Sequence, residues 1–263
     1  MTIKLIAVDM DGTFLNDDMN YNKSKFMELY KKMKKKNIAF VVASGNQYHQ
    51  LKSFFSPIQN EISYVAENGA YVLHQNEELF SVDINSQWVT EIIDVLTELE
   101  DISFLLCGKD SAYVLDSEKK EFIEDMTKYY HRLKKIQNFE KIEDQILKFA
   151  LACPPNQSDY YVEQLSEKFK GMIKPVSSGQ GFIDLIDPQF NKATGINILQ
   201  KKMNISADEL LVFGDSGNDL EMLEMTTNSY AMKNASDKAK NAAKHLTLSN
   251  NNEGVLKVIE LFV

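Results

Sequence analysis

Ile3-Lys4-Leu5-Ile6-Ala7-Val8-Asp9-Met10-Asp11-Gly12-Thr13-Phe14-Leu15 begins as a nearly continuous apolar run and turns abruptly acidic. Such a run fits a strand buried on both faces of a parallel sheet, because a half-exposed strand would alternate. Downstream, from Asn22 to Lys36, Phe26, Leu29, Tyr30 and Met33 recur at i, i+3, i+4 and i+7 and predict one face of an amphipathic helix. Ile38 to Ala43 reads as a second buried strand, a helix is expected through Leu51 and Phe54, and Tyr64-Val65-Ala66 is a third strand. The order strand, helix, strand, helix, strand predicts an open α/β sheet.

The same rhythm returns near the C-terminus. A helix is expected over Lys192 to Met203, a strand at Leu210 to Phe213, a helix from Asn218, a strand near Tyr230 and a last helix from Glu253 to Leu261. Ser206-Ala207-Asp208-Glu209 has the spacing of a capping box, but the apolar run after it is too short for a helix, so the signal is discounted. The middle differs. A hairpin over Tyr71 to Val82, turning near Gln75-Asn76, leads to a helix containing Trp88, Ile92, Leu96 and Leu99. Strands at Phe104 to Cys107 and Ala112 to Leu115, a helix over Phe122 to Tyr130, a strand at Leu147 to Cys153, a helix at Tyr160 to Phe169 and strands near Ile173 and at Phe182 to Ile186 follow. This predicts a mixed α+β unit, residues 84–186, inserted into an α/β core of residues 1–83 and 187–263, with Pro188 marking the return.

Composition narrows the function. The 263 residues are 44% hydrophobic and 25% charged with only 5 Pro, as in an ordinary globular chain. Against 38 acidic residues stand 29 Lys plus Arg, and the net charge of −9 disfavours a nucleic-acid partner. The run Lys31-Lys32-Met33-Lys34-Lys35-Lys36 closes a helix, where cations complement the dipole, and reads as a solvated face. Cys107 and Cys153 form no metal-binding spacing and predict reduced thiols. With Met1 leading straight into a strand and no long apolar stretch, no export signal and no membrane association are expected, and a cytoplasmic location follows.

Chemistry gathers at the strand ends. In an open α/β sheet, ligands bind beyond the carboxyl ends of the strands, which is where Asp9 and Asp11 arrive. Two acids two residues apart share a proton or a cation, although a bare D-x-D-G equally describes two acids capping a turn. Ala43-Ser44-Gly45-Asn46 offers a hydroxyl and backbone N–H groups at a helix start, a phosphate site or a plain turn. Gly214-Asp215-Ser216-Gly217-Asn218-Asp219 places a further acid at a strand end and another on the following turn, an oxygen-rich set suited to Mg²⁺, or a polar glycine-rich turn that holds no ion. None of the four histidines has metal-site spacing.

Together these motifs resemble the haloacid-dehalogenase superfamily, and within it the Cof-type phosphatases most like bacterial sugar phosphatases. The signature Asp9-x-Asp11-Gly12-Thr13, Ser44, Lys192 and Gly214-Asp215-x-x-Asn218-Asp219 appear in the family's order, and Glu67-Asn68-Gly69-Ala70, Ala231-Met232-Lys233-Asn234-Ala235 and Glu253-Gly254-Val255 match as well. The resemblance implies a Rossmann-like parallel-sheet core with an inserted α+β cap. Only 32 residues separate Asp11 from Ser44 whereas 147 separate Ser44 from Lys192, so the insert stands at the position the family calls C2. It further implies that Asp9 is the nucleophile, that Asp11 is the general acid and base, and that Asp9, Asp215 and the backbone carbonyl of Asp11 hold Mg²⁺. Ser44, Gly45, Asn46, Lys192 and Asn218 would bind phosphate and Asp219 would support Lys192 or a metal-bound water. Most relatives carry arginine where this chain has Asn46, as does not the sugar-phosphatase subgroup.

The implied activity is Mg²⁺-dependent hydrolysis of hexose and pentose phosphates with broad selectivity, the ligand being a small molecule and no protein partner being implied. A sugar phosphomutase and a non-catalytic sugar-phosphate sensor remain as alternatives, the retained Asp11 weighing against the sensor. Recognition of the leaving group falls to the insert, whose return segment Ser177-Ser178-Gly179-Gln180-Gly181-Phe182 nominates Gln180 and Phe182. Tyr129-Tyr130-His131-Arg132 admits two readings, a pocket lining and, preferred, helix packing with a surface arginine; Met222, Met225 and Met232 read as core.

Overall fold

Leu5–Val8 forms strand β1, and all four residues are fully buried although successive side chains point to opposite faces. Its neighbours in the sheet are buried as well, apart from the partly buried Ala39 at the start of one of them, so the central strands are covered on both sides. The structure, a computed structural model, describes residues 2–179 and 181–263. Gln180 therefore lies outside the described residues.

After β1, helix α1 (Lys23–Lys35), β2 (Ala39–Ala43), α2 (Tyr48–Phe54) and β3 (Ser63–Ala66) build one wing, and the hairpin β4 (Tyr71–His74) and β5 (Glu77–Ser81) extends it. Asn22 caps α1 by accepting from the Lys25 N–H, and Phe26, Leu29, Tyr30 and Met33 are buried as their spacing predicts. Gln75 and Asn76 at the hairpin tip both have positive φ, matching a turn whose twist suits two antiparallel strands. The insert then runs α3 (Ser86–Thr97), β6 (Ser103–Gly108), β7 (Ala112–Leu115), α4 (Lys120–Met126), β8 (Leu133–Ile136), β9 (Ile146–Ala152), α5 (Ser158–Lys168), β10 (Lys174–Gly179) and β11 (Phe182–Ile186). Finally α6 (Lys192–Met203), β12 (Leu210–Gly214), α7 (Leu220–Glu224), β13 (Ser229–Ala231), α8 (Asp237–Ala242), β14 (His245–Leu246) and α9 (Gly254–Phe262) complete the chain.

Two sheets result. The larger has order β14-β13-β12-β1-β2-β3-β4-β5, parallel except at β4 and β5. The smaller, of order β10-β11-β9-β6-β7-β8, is antiparallel apart from the β7–β8 pair and draws all its strands from residues 103–186. In the larger sheet the chain leaves β1 toward β2 on one side and returns on the other at β12. This reversal of direction creates a crevice at the carboxyl ends of β1 and β12.

Several expectations need correction. Ser206 and Glu209 do form a reciprocal capping box, on a single 3₁₀ turn at Ala207–Glu209 that feeds β12; the motif needs one turn, not a long helix. The helix expected through Tyr130 ends at Met126, because Tyr130 turns inward, where its hydroxyl accepts from the Cys107 thiol. Strands β8 and β14 and helix α8 carry no strong apolar periodicity and were not expected. Among the described residues no helix is long and apolar enough to cross a membrane.

Candidate active site

Asp9 stands just past β1 and Asp215 just past β12, side by side because the two strands are in parallel register, Val8 opposite Phe213. Between them the backbone must swing away within a few residues, and Gly12 makes that possible. Its φ is +74°, and a Cβ there would stand 2.6 Å from Oδ2 of Asp215. Thr13 then donates its hydroxyl to Asp215 Oδ1 at 2.9 Å, and Asn234 donates to the Gly12 carbonyl at 2.7 Å.

Lys192 reaches this cluster from the first turn of α6, whose start is fixed by a capping box between Asn191 and Thr194. Its buried ammonium donates to Asp9 Oδ1 and to Asp219 Oδ1, both at 2.6 Å. The other oxygen of Asp219 accepts from the backbone N–H groups of Asp215 and Ser216 at 2.9 and 3.0 Å, which ties the turn after β12 to the lysine. Of the two roles foreseen for Asp219, holding Lys192 is the one the geometry displays.

Carboxylate oxygens of Asp9, Asp215 and Asp219 lie within 4.8 Å of one another. Three acids against one ammonium leave an excess of negative charge in a buried place. Burial, with Asp219 next, holds Asp9 well above the ordinary carboxylate range despite the opposing pull of Lys192. Asp215 is pushed up to about 6 by the same two causes in the same order. Burial alone would lower Lys192, but Asp219 and Asp9 outweigh it and keep the ammonium above its usual value. All-oxygen donors with uncompensated charge fit a hard divalent cation better than a transition metal. The Asp11 carboxylate is not among these clustered acids.

Asp11 instead faces β2. Asn46 donates to its Oδ2 at 2.6 Å, while Oδ1 is buried with no hydrogen-bond partner. Burial raises Asp11, opposed first by the Asn46 hydrogen bond. Asn46, read from sequence as a phosphate contact, is thus engaged with the acid. Ser44, also buried, accepts from the Asn46 N–H at 3.1 Å, leaving its hydroxyl proton free to donate. Asn218 accepts from the Ser216 hydroxyl at 2.6 Å and donates to Asn68 at 3.0 Å.

From the smaller sheet, Phe182 comes edge to face with Tyr129, ring centroids 6.1 Å apart. The Tyr129 hydroxyl is raised by burial and, next, by the charge of Asp11, so this pair stands near the acid. Of the two sequence readings of Tyr129, helix packing is preferred over pocket lining; the residue stands beside Phe182 and near Asp11. Sequence reasoning missed Glu67, Asn68, Lys148 and Asp184, which meet where the two sheets join. Strand β10 lies against the turn at Gly217–Asp219, so the insert's return segment does reach the core.

These strand-end acids, the buried lysine and the inserted sheet agree with what similarity to other proteins establishes. The sequence profile of the haloacid dehalogenase-like hydrolases matches residues 6–259, and the chain belongs to that family. It is a phosphatase, a hydrolase of phosphoric monoesters. It is 44% identical to the 5-amino-6-(5-phospho-D-ribitylamino)uracil phosphatase YbjI of Escherichia coli K12 over 99% of this chain and 96% of that one. To the Bacillus subtilis phosphatase YitU, of the same designation, it is 24% identical over 97% and 96% of the two chains. The solved structure of SMU.1108c from Streptococcus mutans UA159 superimposes with a TM-score of 0.94 at 31% identity, covering 99% of both chains. That of TM0651 from Thermotoga maritima gives 0.84 at 25% identity, covering 100% and 98%.

Proposed function

We propose that the chain hydrolyses phosphate esters of sugars and sugar alcohols through an aspartyl-phosphate on Asp9, with Asp11 as proton donor and acceptor and Mg²⁺ as cofactor. The observation that carries this reading is the contrast between two neighbouring carboxylates. Asp9 is paired with Lys192 at 2.6 Å, whereas Asp11 has a neutral partner on one oxygen and none on the other. Two acids in unlike surroundings divide into nucleophile and acid.

In the first step an Asp9 oxygen bonds to phosphorus as the ester P–O bond breaks, and the departing alkoxide takes its proton from Asp11. In the second, Asp11 removes a proton from water, whose oxygen attacks phosphorus and frees Asp9 and inorganic phosphate. Mg²⁺, held by Asp9, Asp215 and the Asp11 carbonyl, would neutralise charge on the cluster and on the phosphoryl oxygens. Lys192 and Ser44 supply the remaining positive charge and hydrogen bonds. The six-stranded insert acts as the cap, residues 84–186, that supplies the leaving-group contacts.

The absence of a cation at Asn46 supports compact neutral leaving groups. A second reading is favoured by the 44% identity to a protein named for a phosphoribityl-aminouracil. Its ester is also borne on a five-carbon polyol, and the Tyr129–Phe182 pair offers an aromatic surface for a ring. Comparing kcat/KM for hexose, pentose and pentitol phosphates, this pyrimidine compound, nucleotides and phosphopeptides decides the matter. Sugar phosphates ranking below nucleotides or phosphopeptides overturn the first reading, and a pyrimidine compound at least about tenfold ahead establishes the second. Asp11→Asn should spare nitrophenyl phosphate, whose leaving group needs no proton, far more than alkyl phosphates. Equal losses would remove Asp11 as the acid.

A further inference from the structure

A second buried ammonium, outside the phosphoryl site, lies where the two sheets meet. Lys148 is the one charged residue of the otherwise apolar strand β9, Ile146–Ala152, and it is 1% exposed. Its ammonium donates to Asp184 Oδ1 and to the backbone carbonyl of Gly45, each at 2.7 Å, and lies 3.4 Å from Glu67 Oε2. Register explains the pair: Lys148 stands opposite Ile186, so Asp184, two residues along β11, is its diagonal neighbour on the same face. Burying these charges is costly, and an apolar pair would hold two sheets together at least as well.

What the charges reach is the site. The three successive carbonyls of the Ser44–Asn46 loop are all held: that of Ser44 by the Asn68 N–H, that of Asn46 by the Glu67 N–H, and that of Gly45 by Lys148. A peptide unit is rigid, so fixing the Gly45 carbonyl fixes the Asn46 N–H pointing the opposite way, onto Ser44 Oγ. Asn46 in turn holds Asp11. Asp184 extends the reach to the other side, accepting from Asn68 Nδ2 at 2.7 Å, while Asn68 Oδ1 accepts from Asn218 at 3.0 Å. Close approach is required: a Cβ on Gly45 would stand 3.1 Å from the Asn68 amide and 3.2 Å from Asp184 Oδ2.

We propose that Lys148 and Asp184 are positioning residues of the insert that set the Ser44–Asn46 loop, and through Asn46 the orientation of Asp11, so that proton donation to the leaving group depends on the insert being seated. The inference rests on Asp11 being the general acid. It reads the insert as part of the catalytic alignment as well as of substrate recognition.

The test uses the full-length protein with Mg²⁺, comparing kcat for an alkyl phosphate such as a pentose phosphate with kcat for nitrophenyl phosphate. Lys148→Met is the direct variant. Lys148→Met/Asp184→Leu replaces the whole pair by apolar side chains, so it keeps the fold if the single variant does not. The expected result is that alkyl turnover falls at least about tenfold more than aryl turnover, a selective loss within the range general acid catalysis provides. A merely structural role lowers both by the same factor, through the fraction of folded enzyme. Equal losses, or no loss, in a folded variant overturn the proposal. Asp11→Asn run alongside separates the failures: a selective loss there with none in the Lys148 variants sinks this inference alone, whereas equal losses in Asp11→Asn sink the acid assignment and this inference with it.

Discussion

Two buried lysines, each between two carboxylates, make a comparison within one molecule. Lys192, at the carboxyl ends of β1 and β12, bonds to Asp9 and Asp219 with Asp215 close by, so three carboxyl groups crowd one ammonium and burial with mutual repulsion raises Asp9 and Asp215. Lys148, at the junction of the two sheets, bonds to Asp184 and lies beside Glu67, which burial pushes up to about 7 against the pull of Lys148. There two carboxyl groups face one ammonium. The first cluster, with two more acids than cations, has the donor set that suits a divalent cation; the second, with one more, holds neighbouring backbone through Lys148. Equal burial of the same residue type therefore does not by itself mark a reactive place; the number of acids gathered around it differs.

The sharpest way to break this distinction is Asp9→Asn. It keeps the shape and removes the proposed nucleophile, so turnover should fall by at least about 10³-fold. Removing one of three mutually repelling acids should at the same time leave the thermal midpoint in metal-free buffer unchanged or raised. Steady-state phosphate release at the parent rate, or a midpoint well below the parent's, would show that the cluster is a structural ion pair after all.

Chelation comes next. Exhaustive EDTA should abolish phosphate release, and Mg²⁺ should restore it while stabilising the fold by about 2.7 kcal/mol at a hundredfold excess over Kd, read as a raised thermal midpoint. Activity that survives EDTA would contradict a cation at Asp9 and Asp215. Ca²⁺, which favours a larger and looser shell, should not support full turnover.

A smaller effect probes the junction. Glu67 has an ordinary value of 4.5 and is raised to about 7 in the fold, so it binds a proton more tightly folded than unfolded. The stability it contributes is full below pH about 4.5 and is lost as pH rises through about 7, a change on the order of 3 kcal/mol. Glu67→Gln should remove that decline, which thermal midpoints of the variant and parent at pH 4.5, 6 and 8 would display. Parallel curves for the two proteins would return Glu67 to the ionised state. The smallest effect is expected of Phe182→Leu, which should reorder turnover among sugar phosphates a few-fold while nitrophenyl phosphate hydrolysis changes less; an unaltered ranking would take Phe182 out of substrate recognition.

The difference between the clusters also explains what the sequence reveals. Asp9 and Asp215 are legible because each directly follows an apolar strand, and Asp11 because it stands two residues beyond Asp9; strand ends are where an open sheet places its ligands. Lys192 gains meaning only from family order, since a lysine at a helix start usually meets water. Lys148 and Asp184 are invisible locally: each is a single polar residue in a strand, and they meet only because β9 pairs with β11 in one register. Glu67 and Asn68 carry a faint signal in Glu67-Asn68-Gly69, where two positive-φ residues precede a glycine, but nothing there says what the turn holds. The capping box at Ser206 errs the other way, a correct local motif set aside for want of a long helix.

The larger sheet also ends in two unlike borders. β14 is a two-residue strand, His245–Leu246, and β5 at the opposite border begins Glu77-Glu78, each paired with a lysine, Lys202 and Lys109. Pairing between β4 and β5 is also interrupted by a register shift at Val72/Leu73. A border this short offers few free N–H and C=O groups to a passing chain, and one this charged and irregular repels it. Folded molecules at high concentration are thereby hindered from joining border to border into a continuous ribbon, a safeguard against aggregation written into the two outermost strands.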